Sequence, residues 1–268
     1  MLLGGLQKTT LIDFPGRVAC TVFTVGCNFR CPFCHNRDLV TLALFQKSGF
    51  KQISEKDFFA FLANRKKILE GVTITGGEPT LQVDLPSFCQ KIKDLGLEVK
   101  LDTNGSNPKM LKKLIDEKLV DFIAMDIKTC YKDYLKLVNP KSEARNSRQI
   151  LNSNFQNYKL LDIDKIKETI KIILTSGLEY ELRTTVVPGI HNKEVMVKLA
   201  KELKNEVEKV DKSSGKVEKI NYILQNFRPQ NCLDPQYLKL KPFSDKEIQA
   251  ILKSVQPILS KTKLRGTE

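Results

Sequence analysis

No run of apolar residues in this 268-residue chain approaches the roughly 18 needed to cross a membrane. The opening stretch has no basic region followed by an apolar one, so it does not read as a secretory signal, and a cytoplasmic location is expected. Seven cysteines, an odd number, then read as thiols or ligands rather than disulfides. There is no recognisable Ser/His/Asp set and no pair of carboxylates at glycosidase-like spacing. Acidic residues are outnumbered, 31 against 44 basic, for a net charge of +13. Such a surplus suits nucleic acid, an acidic protein partner or a lysine-rich proteome. No Arg-rich arm and no alternating basic and aromatic strip is present. The lysines, concentrated in 91–118, 165–171, 193–219 and 239–263, fall mostly on expected helices. They read as solvated faces, which argues against a nucleic-acid surface and leaves room for an acidic electron donor.

What is present is concentrated in Cys27-Asn-Phe-Arg-Cys31-Pro-Phe-Cys34. Three cysteines spaced C-x3-C-x2-C follow a strand-like run, 18–25, and a turn at Gly26. Three thiolates on one loop suit a metal centre. A structural zinc site wants four closed ligands, usually from paired C-x2-C knuckles. The second knuckle is missing, and Cys20, Cys89, Cys130 and Cys232 are scattered singly. His35 follows Cys34 directly, so a Cys3His zinc site stays open beside an iron–sulfur cube with one iron left free.

The rest of the chain alternates. Strands are expected at 18–25, 71–75, 97–101, 120–125, 181–187 and 219–224. Helices are expected from 54 to about 70, 84–96, 108–119, 162–176, 193–209 and 244–259, the last opened by a Ser244…Glu247 capping box. The segment between the cysteine loop and Gly49 is poorly patterned, and 11–17 reads as a turn-rich entry. Residues 131–159, rich in Asn, Ser, Lys and Arg, read as an inserted mobile loop, and 212–216 as a linker. Six strands alternating with helices argue for an α/β fold with a parallel sheet and outer helices, in one domain with its core at about 15–230. Six units make a partial (β/α)6 barrel, with its site at the carboxyl ends of the strands.

Short polar motifs follow those strands. Gly76-Gly77-Glu78-Pro79 is a plain glycine turn, or a loop whose backbone approaches a ligand while Glu78 accepts from an ammonium. Asp102-Thr-Asn104-Gly105 and Asp126-Ile-Lys128 are, taken alone, turns or strand-end charges. Arg183 lies inside a strand and needs an anionic partner, either a ligand carboxylate or an ion pair. His191 reads as a surface residue.

Together the cysteine spacing, the aromatic Phe33 before the third cysteine and the Gly-Gly-Glu-Pro run resemble the radical S-adenosylmethionine (SAM) enzymes. The D-T-N-G and D-x-K runs resemble the activases of glycyl radical enzymes. The stretch from Gly5-Leu-Gln-Lys-Thr-Thr-Leu-Ile-Asp-Phe-Pro-Gly16 through Cys34-His-Asn36, with Leu182-Arg-Thr-Thr-Val-Val-Pro-Gly189 and Gln225-Asn-Phe-Arg-Pro229, is similar to the anaerobic ribonucleoside-triphosphate reductase activating proteins. The similarity covers about 3–130 and 162–230; the insertion near 131–160 departs from it and is a candidate partner contact. The region of Gln225 also lacks the histidine that pyruvate formate-lyase activase has there.

The resemblance implies a 4Fe-4S cluster on Cys27, Cys31 and Cys34 and SAM on its open iron. Phe33 would lie near the adenine, and Gly76, Gly77, Glu78, Asp102 and Asn104 near the SAM amino group. Lys128 and Arg183 would meet its carboxylate or ribose, and Gln225 and Phe227 the adenosine end. It implies one-electron cleavage of SAM to a 5′-deoxyadenosyl radical, which takes a hydrogen atom from a glycine of a partner reductase. The electron would come from a flavodoxin or ferredoxin-type donor. A small-molecule radical SAM enzyme, like 7-carboxy-7-deazaguanine synthase, is an alternative, as is activation of another glycyl radical enzyme. A zinc-binding interaction module would explain the charge and the cysteines, but not the ordered motifs.

Overall fold

The structure, a computed structural model, describes residues 1–139, 162–210 and 220–266. These fall into two compact units. The first comprises Met1–Cys27, Asn36–Met125 and Ser176–Tyr180; the second comprises Asn28–His35, Asp126–Thr175 and Glu181–Glu268.

In the first unit, β1 (Leu3–Thr10) runs antiparallel to β2 (Ala19–Thr24). β3 (Gly71–Gly76), β4 (Glu98–Thr103) and β5 (Phe122–Asp126) then add in parallel, one after another. Parallel strands are covered on both faces, so they read as continuous apolar runs. Val22, Val72, Ile74, Val99, Leu101 and Ile123 are accordingly fully buried. The connections carry α1 (Leu42–Ser48), α2 (Glu55–Arg65), α3 (Leu85–Asp94) and α4 (Pro108–Asp116). Thr41, Ser54 and Asn107 cap three of them by accepting from backbone N–H groups of the first turn. Phe58 of α2 stacks on Phe88 of α3 with ring centres 5.2 Å apart, joining the two helices over the sheet.

The second unit holds α5 (Tyr131–Val138), α6 (Ile163–Thr175), all but the first two residues of β6 (Glu179–Val186), α7 (Lys193–Val210), β7 (Tyr222–Asn226), α8 (Asp245–Val255) and β8 (Lys263–Arg265). β6, β7 and β8 are parallel. The capping box at Ser244 and Glu247 forms as expected. Buried Tyr222 donates its hydroxyl to Thr184 Oγ1 at 2.8 Å, tying β7 to β6. Arg265 pairs with Glu181, tying β8 to β6.

The α/β class with parallel strands is the one expected, but the described residues contain eight strands rather than six. β1 is overlooked because its Gln7-Lys-Thr-Thr10 half is polar and its pairing is an antiparallel edge. Short α1 lies in the segment read as unpatterned. The expected loop at 131–159 begins instead with helix α5, anchored by buried Tyr134 and Val138. The remainder of that expectation, and the linker at 212–216, lie outside the described residues. Asp102, Asp126 and Gln225, expected just after strands, are the last or next-to-last residues of β4, β5 and β7. The ladders run one or two residues further than the apolar pattern. Among the described residues no helix is long and apolar enough to cross a membrane.

Candidate functional site

The chain passes from the first unit to the second after Cys27 and returns after His35. Each unit therefore contributes a separate part of the motif set.

In the first unit the end of β2 is clamped to the Gly-Gly-Glu loop. Gly77 N–H donates to Thr24 O and Glu78 N–H to Gly26 O, both at 2.8 Å, while Gln82 Nε2 reaches Val25 O at 2.9 Å. Cys27 N–H in turn donates to Val40 O at 3.0 Å. The close approach that the two glycines permit is to this neighbouring strand. A Cβ on Gly77 would sit 2.2 Å from Gly26 O, and Gly76, at φ +114°, has Thr24 N 2.4 Å from its Cβ position. The glycines thus let β3 end flush against the strand that delivers Cys27.

Glu78 is buried, with 1% of its surface exposed, and works as a hub. Its Oε1 accepts from Thr80 N–H at 3.1 Å, from the Thr80 hydroxyl and from the Thr103 hydroxyl at 2.7 Å; its Oε2 accepts from Asn104 N–H at 2.6 Å. Burial pushes its carboxyl above the usual range, and the donors from Thr80, Asn104 and Thr103 pull the other way. The carboxylate therefore locks the loop after β3 to the loop after β4. Asp102 is paired with Lys100, a lysine with a fully buried residue surface whose ammonium also lies 5.8 Å from the centre of the Phe122 ring. Lys100 was not singled out in the sequence. Its signal is an opposite-charge pair two residues apart, hence on one face of a strand buried on both sides. Asn36, beside the cysteine loop, donates to Gly76 O at 3.2 Å.

In the second unit Cys31 and Cys34 close a turn through Cys34 N–H to Cys31 O at 3.1 Å. The loop is pinned on several sides. Arg30 N–H donates to Val138 O, Asp234 N–H to Pro32 O and Asn231 Nδ2 to His35 O. Phe33 is buried with Tyr237 6.4 Å away, and His35 stacks on Phe227 at 5.8 Å. Phe227 is thus engaged by the residue that follows Cys34. Burial pushes the Cys31 thiol up to about 12, against the pull of the Lys128 ammonium. Asp126 sits between two cations, with Lys128 Nζ at 3.0 Å and Arg183 Nε at 2.9 Å. Burial alone would raise its carboxyl, but Arg183 and Lys128 together hold it below the usual carboxylate range. Asp126 is thus an anionic partner of Arg183, and within the trio two positive charges meet one negative charge. Gln225 lies in β7 opposite Thr185 of β6.

His191 corrects an expectation: it is buried, with 2% of its surface exposed. Its Nδ1 accepts from Val187 N–H at 2.9 Å, which leaves Nε2–H to donate to Lys128 O at 3.0 Å. It thereby holds the backbone of Lys128. Burial lowers its pKa to about 4. The unfolded chain takes up a proton near pH 6.5 that the folded one refuses until about 4, so stability is full above 6.5 and falls as pH drops through that window. Chemical-denaturation midpoints should fall from pH 7 to 4.5 in the parent, and fall less in a His191→Asn variant.

Among the described residues no three His, Cys, Asp or Glu side chains converge as a single-ion site would have them. A cubane takes each thiolate on a different iron and imposes no such convergence. The donor chemistry fits a cluster: thiols, an ammonium acting on Cys31, and an amide N–H aimed at the sulfur of Cys27.

Residues 21–203 match the profile of the radical SAM superfamily. The chain belongs to the radical SAM superfamily. A Methanocaldococcus jannaschii protein provisionally named a glycyl-radical enzyme activating enzyme is 27% identical over 98% of this chain and 95% of its own. A second such protein of that organism is 30% identical over 76% of this chain and 69% of its own. The pyruvate formate-lyase-activating enzyme of Clostridium pasteurianum is 27% identical over 77% of this chain and 78% of its own. Within the superfamily, then, this radical SAM protein groups with the glycyl-radical-enzyme activating enzymes. Among solved structures, Streptococcus suis SuiB bound to S-adenosylmethionine matches 91% of this chain with a TM-score of 0.59 at 15% identity. The chain spans about half the length of SuiB, 49%, and that likeness speaks to the fold alone. Radical SAM enzymes use a 4Fe-4S cluster and SAM, the cofactors that the resemblance implied.

Proposed function

We propose that this radical SAM enzyme installs a glycyl radical on an anaerobic ribonucleoside-triphosphate reductase. The observation that carries the SAM site is the Asp126–Lys128–Arg183 trio, whose surplus positive charge suits the methionine carboxylate of the cofactor. In this reading Cys27, Cys31 and Cys34 hold the cluster. When bound, cluster and SAM supply a one-electron cleavage and the capacity to remove a hydrogen atom. The protein's own residues bind and orient. Lys128, its backbone fixed by His191, meets the carboxylate beside Arg183. The loop held by Glu78 would offer backbone carbonyls to the SAM ammonium, beside Asp102, whose charge is balanced by Lys100. Phe33, Gln225 and Phe227 border the adenosine end.

The choice of reductase rests on the stretches 5–36, 182–189 and 225–229. Pyruvate formate-lyase is the competing partner, favoured by the Clostridium pasteurianum relative. Anaerobic incubation with SAM, a flavodoxin or ferredoxin-type donor and each reductase separates them. A glycyl-radical EPR doublet should appear on the ribonucleotide reductase. A doublet on pyruvate formate-lyase alone, or on neither, would overturn the assignment.

A further inference from the structure

The reading above gives Cys27 to the cluster, and the following rests on it. Asn104 Nδ2 lies 3.8 Å from Cys27 Sγ, within reach of an N–H···S hydrogen bond. The orientation of the amide follows from its other contacts. Its Oδ1 accepts from Ser106 N–H at 2.9 Å, so turning the amide over would set two donors against each other. The residue is held from behind as well, because its own N–H is taken by Glu78 Oε2 at 2.6 Å. Both partners are nearly dry, Asn104 at 6% and Cys27 at 9% exposure. In place of the SAM contact implied by the D-T-N-G run, we propose that Asn104 is a positioning residue for the cluster, donating to the Cys27 sulfur and setting its reduction potential.

Hydrogen bonds to cluster sulfurs are among the determinants of iron–sulfur potentials. Each electron added to a cluster increases the negative charge on its sulfurs, so an N–H donor favours the reduced form. The effect is larger where water is excluded. Glu78 enters indirectly: its carboxylate fixes the backbone of Asn104, and the Asn104 amide fixes the sulfur.

The test is an EPR-monitored redox titration of the anaerobically reconstituted protein and of Asn104→Ser, whose hydroxyl keeps an acceptor for Ser106 but is too short to reach the sulfur. The variant should retain its cluster and be reduced roughly tenfold less at a given potential, a midpoint about 59 mV lower for one electron. An unchanged midpoint would overturn the proposal. Should the variant lose its cluster, the parent alone decides. With side-chain 15N-labelled asparagine, ENDOR on the reduced cluster should show a 15N coupling, and its absence would count against the bond. A parent that gives no cubane signal at all would overturn the functional reading and this inference together.

Discussion

A Glu78→Gln variant should melt roughly 10 °C below the parent, as measured by anaerobic circular dichroism. The expectation comes from counting donors. In the parent, four of them converge on one buried carboxylate: the Thr80 and Asn104 N–H groups and the Thr80 and Thr103 hydroxyls. Glutamine keeps one oxygen but replaces the other with an NH2 group. With the amide oxygen in the Oε1 position, the NH2 faces the Asn104 N–H, and the opposite orientation strands the donors around Oε1. Leaving a buried donor unsatisfied costs about 1–3 kcal/mol, more where the lost partner was charged. At about 2–4 °C per kcal/mol for a protein of this size, roughly 10 °C follows. A melting temperature within 2 °C or so of the parent would show that the loop after β4 does not depend on this carboxylate.

Lys128→Met should weaken SAM binding by roughly 10- to 100-fold. Hydrogen bonds to charged groups contribute about 1.5–3 kcal/mol, and each 1.4 kcal/mol is a factor of ten. The methionine fills most of the space of the lysine stem, so the change is chiefly one of charge. It also leaves Asp126 with Arg183 alone, converting a site with one surplus positive charge into a neutral one. Equilibrium binding of SAM to the reconstituted protein measures the effect. Parent-like affinity would place the carboxylate elsewhere and remove the main support for the trio's role.

Much of this was legible in the sequence because local chemistry and fold agree. The capping box at Ser244 and Glu247 satisfies helix-terminal groups, the proline at the start of α4 removes an N–H that would have no partner, and the glycine after α6 takes up a positive φ, all features the sequence states directly. The buried parallel strands show as apolar runs for the same reason. What escaped was set by tertiary partners. β1 is polar along half its length and is held by pairing with β2. α5 buries only Tyr134 and Val138 of its apolar residues, and only the site of burial reveals the helix. His191 looks like a surface residue until its two ring nitrogens meet Val187 and Lys128. Around the motif residues, the structural partners were not legible. The glycines serve the approach of β3 to β2, Glu78 serves two loops, and Arg183 meets Asp126.

The most direct test of the central claim is EPR of the anaerobically reconstituted, dithionite-reduced protein with and without SAM. The account predicts an S = 1/2 cubane signal that shifts when SAM is added, as an open iron taking up the cofactor requires. A protein that instead holds about one zinc and gives no such signal would contradict it.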